Sequence, residues 1–180
     1  MVESNNSFTI TNSKLIMDIS ILKPILWQQF GAAVDMLENA IAACPEKLWD
    51  GESKFWHKAY HTVFFLDYYL CESPDNFMPP APFSLSEFDA KGTMPERTYT
   101  QKELLIYLNF CRIICHDKIN NLTEEKVVAR WVNTRRDYPI IEILLYNMRH
   151  VQHHTAQLNL LLRQNGCTVP DWVSRTEVVL

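Results

Sequence analysis

The chain has 180 residues, 47% of them apolar, which is enough for one domain with a full hydrophobic core. A formal net charge of −4 argues against a nucleic-acid-binding surface. No run approaches the ~18–20 uninterrupted apolar residues of a membrane span, and MVESNNSFTITNSK lacks the basic start and apolar stretch of a signal peptide, so a cytoplasmic protein is expected.

Residues 1–14 read as a flexible N-terminal tail and residues 15–180 as a single domain. The apolar period is helical in four long segments. The first covers about residues 19–43, with Ile21, Ile25, Leu26, Phe30, Val34, Leu37 and Ile41 on one face. Asp18 or Ser20 caps its start, and Cys44-Pro45 stops it. The second, about residues 53–71, is apolar almost all round and is expected at the centre. A long connection follows over residues 72–99, with Pro74, Pro79, Pro80, Pro82 and Pro95 and a short helical turn near Leu85 to Asp89. Connections of that length often act as covers over functional sites.

The third helix opens with Thr100-Gln101-Lys102-Glu103, which has the form of a capping box, and ends near Asn120-Asn121. Thr123-Glu124-Glu125 starts a short helix ahead of Trp131. The fourth long helix runs from about Pro139 to Asn165, with Gly166 as its stop. The tail, residues 168–180, is expected to pack Trp172 back on the helices. Only four glycines are present and no strand signal stands out. The fold class expected is all-α: a four-helix bundle with a long crossover loop between the second and third helices.

The five cysteines are odd in number and scattered, and read as reduced, buried thiols. Cys111 and Cys115 have helical i, i+4 spacing, but no second pair completes a thiolate site. The histidines carry more. His150 and His154 lie one helical turn apart, so both rings project from one stripe and can converge on one ion. His57 and His61 have the same spacing on the second helix. A lone helical histidine is more often an ordinary core or surface residue. Here the stripe Leu144, Asn147, His150, His154, Gln157, Leu161 places polar groups in the middle of an apolar face, where two imidazoles need partners.

His61, in the middle of the most apolar helix, is the expected third ligand. His57 reads as an outer contact, a fourth ligand or a substrate contact. His153 points about 100° away from His154, and His116 has no partner in sequence. Asn147 and Gln157 are placed to steady the ligand rings. Val151 stands where a zinc protease would carry its general-base glutamate. Three histidine ligands leave coordination positions open, the pattern of a catalytic site, so a water or thiolate at the ion is the expected nucleophile. Tyr60 and His57 are the candidate helpers; Asp67 reads as a capping or packing-edge charge.

Through WHKAYHTVFFLDYYL, YTQKELLIYLNFCRIICHDKINNLTEEK and LLYNMRHVQHHTAQLNLLLRQNG the chain resembles the DinB-like (damage-inducible, DinB/YfiT-like) family over most of residues 15–173. The resemblance implies a four-helix bundle holding a divalent ion, usually zinc or nickel, on His61, His150 and His154. It also implies a metal-dependent hydrolase or a low-molecular-weight-thiol S-transferase with a small-molecule substrate, and a homodimer as in other members. The chain lacks the longer C-terminal domain of the thiol-dependent maleylpyruvate isomerases, which tells against that activity. The alternative is a non-catalytic metal-binding bundle, acting in a stress response or through a protein partner.

Overall fold

Helix dominates the computed structural model, which describes residues 18–179. The expected flexible tail and its boundary at residue 14 lie outside the described residues. In chain order the elements are α1 (Ile19–Ala42), α2 (Glu46–Trp49), α3 (Phe55–Leu70), α4 (Gln101–Asn120), α5 (Glu124–Val128), β1 (Arg130–Val132), β2 (Asp137–Pro139) and α6 (Ile140–Gln164).

Local signals set most of these boundaries. Asp18 caps α1 by accepting from the Ser20 amide at 2.8 Å. At α4, Thr100 accepts from the Glu103 amide while Glu103 accepts from the Thr100 amide, a complete capping box. Thr123 caps α5 singly, its hydroxyl accepting from the Lys126 amide. Gly166, at φ 68°, follows α6 in the left-handed region that glycine adopts without strain.

The long helices pack as neighbours: α1 lies against α4 and α6, and α3 against the same two. α3 is the most deeply set, with Phe55, Ala59, Tyr60, Val63, Phe64 and Leu66 fully buried. Burying one such large side chain is worth roughly 1.5–3 kcal/mol, so the α3 contacts dominate the core. The connection from α3 to α4 is pinned to this face by aromatics. Phe88 sits edge-on to Phe64 at 5.0 Å and to Tyr68 at 4.9 Å, and Phe83 stacks on Tyr107 at 4.4 Å. Its 3-10 turn at Ser86–Phe88 falls inside the expected helical turn.

Four expectations are corrected. Ile21 and Ile25 are 57% and 54% exposed, so the buried face of α1 begins only at Leu26. A two-stranded antiparallel hairpin, β1 with β2, pairs Trp131 with Tyr138 where no strand was expected. Its turn is closed by Asn133 Oδ1, which accepts from the amides of Arg135 and Arg136. Trp172 is 70% exposed; the tail docks instead through Thr176 N to Gln28 O at 3.1 Å and Trp27 Nε1 to Val178 O at 2.8 Å. Asp67 is no edge charge: it is buried and accepts from the Tyr107 hydroxyl at 2.7 Å. Burial pushes its pKa up to about 6, against the lowering effect of that hydrogen bond.

All five cysteines are free, and burial pushes the Cys111 and Cys115 thiols well above their ordinary pKa. No helix among the described residues is long and apolar enough to cross a membrane.

Candidate metal centre

Because α3 and α6 pack side by side, their histidines meet. His61 of α3 and His150 and His154 of α6 offer nitrogens that all lie within 4.8 Å of one another. Their ring centroids are 5.4 Å (His61–His150), 4.7 Å (His61–His154) and 4.5 Å (His150–His154) apart. Nitrogens bound to one zinc at ~2.0–2.1 Å stand about 3.4 Å apart in a tetrahedron, so rotamer-scale adjustment closes the set. All three rings are half-buried, which leaves the cluster reachable from solvent.

The far nitrogen of two rings is already engaged. His61 Nδ1 lies 2.6 Å from Glu87 Oε2, and His154 Nδ1 lies 2.9 Å from Gln157 Oε1. If each Nδ1 carries the proton, each Nε2 keeps its lone pair for an ion. His150 Nδ1 is buried and has no partner among the described residues. Its ring packs against Phe65 at 5.6 Å and Tyr69 at 5.8 Å, so water does not satisfy it cheaply.

The electrostatics favour the neutral ligand form. Burial, reinforced by His154 and His61, pushes the His150 pKa down to about 3. Burial also takes His154 down to about 4, against the raising effect of its bond to Gln157. Both rings are therefore unprotonated at neutral pH, the state that binds metal. Glu87 completes the arrangement. Burial works against its charge, but hydrogen bonds from His57 and His61 hold its pKa down at about 2. An anionic carboxylate bonded to the far nitrogen of an imidazole is the usual brace of a metal-ligating histidine. Three converging imidazoles, two of them held neutral by burial, an orphaned buried ring nitrogen and a carboxylate brace together fit a divalent ion.

The other candidates fall outside the cluster. His57 Nε2 bonds Glu87 Oε1 at 2.9 Å, so it steadies the carboxylate. Tyr60 is fully buried and its hydroxyl donates to Ser84 O, so it does not serve the cluster as a helper. Asn147, expected to steady a histidine, instead donates Nδ2 to Leu66 O at 2.9 Å and ties α6 to α3. Gln157 does contact a ligand ring, and its Nε2 also lies 3.1 Å from His153 Nε2. His153 is exposed on the outside of this pair. His116 sits edge-on to Trp27 at 5.0 Å, beside the docked tail. Sequence reasoning missed Glu87; its only signal was an acid within the short turn of the long connection. A groove of about 560 Å³ beside His150 is lined by Tyr146, Arg149 and His153 among others.

No family model matches the chain, and no curated protein matches it.

Proposed function

We propose that the chain is a DinB-like four-helix bundle whose His61, His150 and His154 hold a divalent ion, zinc or nickel. We further propose that it is a metal-dependent enzyme, a hydrolase or a low-molecular-weight-thiol S-transferase acting on a small molecule. The observation that carries this reading is the convergence of three half-buried imidazoles from two helices within 4.8 Å. The packing of α1, α3, α4 and α6, with the long α3–α4 connection against α3, supports the bundle. Five free thiols fit a reducing compartment, the cytoplasm.

When bound, such an ion polarises an electrophile and lowers the pKa of a water or thiol at its open position. The chain's own residues set the geometry. Glu87 fixes the ring of His61, and Gln157 fixes that of His154. Burial of His150 keeps a proton from competing for its nitrogens.

A second reading, a metal-binding bundle without catalysis, is favoured by one observation. Neither candidate helper is free, since Tyr60 is tied to Ser84 O and His57 to Glu87. The two readings separate in one assay. Zinc- or nickel-loaded protein is offered ester and amide substrates, then electrophiles with several cellular thiols. The enzyme reading expects turnover above the uncatalysed rate that is lost in His154→Ala. Stoichiometric metal without turnover in any arm supports the second reading, and no metal binding refutes both.

A further inference from the structure

A second site lies away from the histidines. α3 and α6 carry it roughly 14–15 Å from the cluster, nine residues past His61 at Leu70 and ten before His150 at Ile140. There a cavity of about 680 Å³ opens between the ends of α3 and α4, α5 and the hairpin. That volume is within the range of small-molecule pockets. Leu70, Ile114, Leu122, Trp131 and Ile140 give it an apolar floor, and charged side chains line it as well.

Of the charged residues that line it, Lys118 of α4 is the one held by a bond to the end of α3. Lys118 is half-buried, and its ammonium donates to Leu70 O at 2.9 Å. Capping the last turn of α3 explains that bond, but it uses one of three ammonium hydrogens. Among the described residues Lys118 forms no ion pair; like Lys126, which donates to Asn121 O, it bonds a backbone carbonyl, while Arg130 pairs with Asp137. The rim acids Glu72 and Asp117 are exposed. Burial lowers the Lys118 pKa, against the raising effect of the Glu72 carboxylate nearby, which makes no ion pair with it. A half-buried cation on an apolar floor is relieved by an anion that brings its own apolar body.

We infer that this cavity binds a small monocarboxylic acid, its carboxylate on Lys118 and its hydrocarbon or aryl body against Leu70, Ile114 and Trp131. The site is independent of the metal centre.

The test is calorimetric titration of the full chain with octanoate and with 1-octanol, which share a tail and differ in the head group. Octanoate is expected to bind at least about tenfold more tightly, the worth of one charge-assisted hydrogen bond. Lys118→Met is expected to abolish that preference and Lys118→Arg to keep it. Equal binding of the two probes, no binding of either, or an undiminished preference in Lys118→Met overturns the proposal. In the wild-type protein, nuclear Overhauser contacts from the octanoate chain to the methyls of Leu70 and Ile114 are expected. Bound octanoate without them overturns it even if the Lys118 variants fail to fold. His154→Ala is expected to retain the preference; its loss there would assign the carboxylate to the histidine cluster instead.

Discussion

Glu87 reaches His57 at 2.9 Å and His61 at 2.6 Å with its side chain 6% exposed, so one carboxylate orients two imidazoles. Glu87→Gln removes the charge while nearly preserving the shape. We expect it to weaken zinc binding by about 10–100-fold, as loss of such outer contacts does elsewhere, read by competition against a chromophoric chelator. Unchanged affinity would leave Glu87 without a role at the ion. The three histidines of the cluster were legible in sequence because helical spacing aligns His150 with His154 and places His61 on the most apolar helix. Glu87 was not, because the connection that carries it has no period. Asp67 was misread for a related reason: a charged residue on a helix gives no sign of a tyrosine hydroxyl arriving from α4. Its pKa, about 6 against an ordinary 3.8, means that the folded state prefers the protonated acid. Its stabilising contribution is therefore complete below pH ~4 and is lost as pH rises through 6. Asp67→Asn keeps an acceptor for Tyr107 without the charge. It is expected to raise stability at pH 8 by up to about 3 kcal/mol and to change little at pH 4, measured by urea unfolding at both. Equal effects at the two pH values would contradict the assignment.

At the scale of elements, periodicity and capping residues located the long helices to within a few residues. α4 shows why: its start is written into Thr100 and Glu103, which satisfy each other's orphan groups without help from the rest of the fold. Thr100→Ala is expected to cost about 1 kcal/mol, seen as a lowered melting temperature. Elements that depend on distant partners were less legible. β1 and β2 have three residues each, too few to show alternation, and exist because Trp131 is buried with its indole on Cys71 O. Ile21 and Ile25 share the periodic face of α1, but period does not tell where the partner helices end. The tail was misplaced because Trp172 is the larger apolar group, whereas small Gly31 admits Thr176. A Cβ at Gly31 would stand 2.5 Å from Thr176 Cγ2. Gly31→Val is thus expected to displace the tail and speed proteolysis after residue 173, while the helical circular dichroism stays near wild type. Unchanged cleavage would contradict this docking.

At the scale of the whole molecule, the cluster joins α3 to α6, and an ion held there binds the folded chain in preference to the unfolded one. Free zinc at 100 times its dissociation constant then adds about 2.7 kcal/mol to folding. That corresponds to a rise in melting temperature of several degrees for a chain of this size. Removing the ion with a chelator should reverse the rise without unfolding the protein, because the core of α3 is apolar and closed without it. The central claim, that His61, His150 and His154 form one metal centre, is tested most directly by elemental analysis. Wild type, His61→Ala and His154→Ala are purified without chelator, supplied with zinc or nickel, and dialysed. About one ion per chain in the wild type and a stoichiometric loss in both variants is the expected result. A wild type that retains no metal, or variants that retain as much as the wild type, would contradict it.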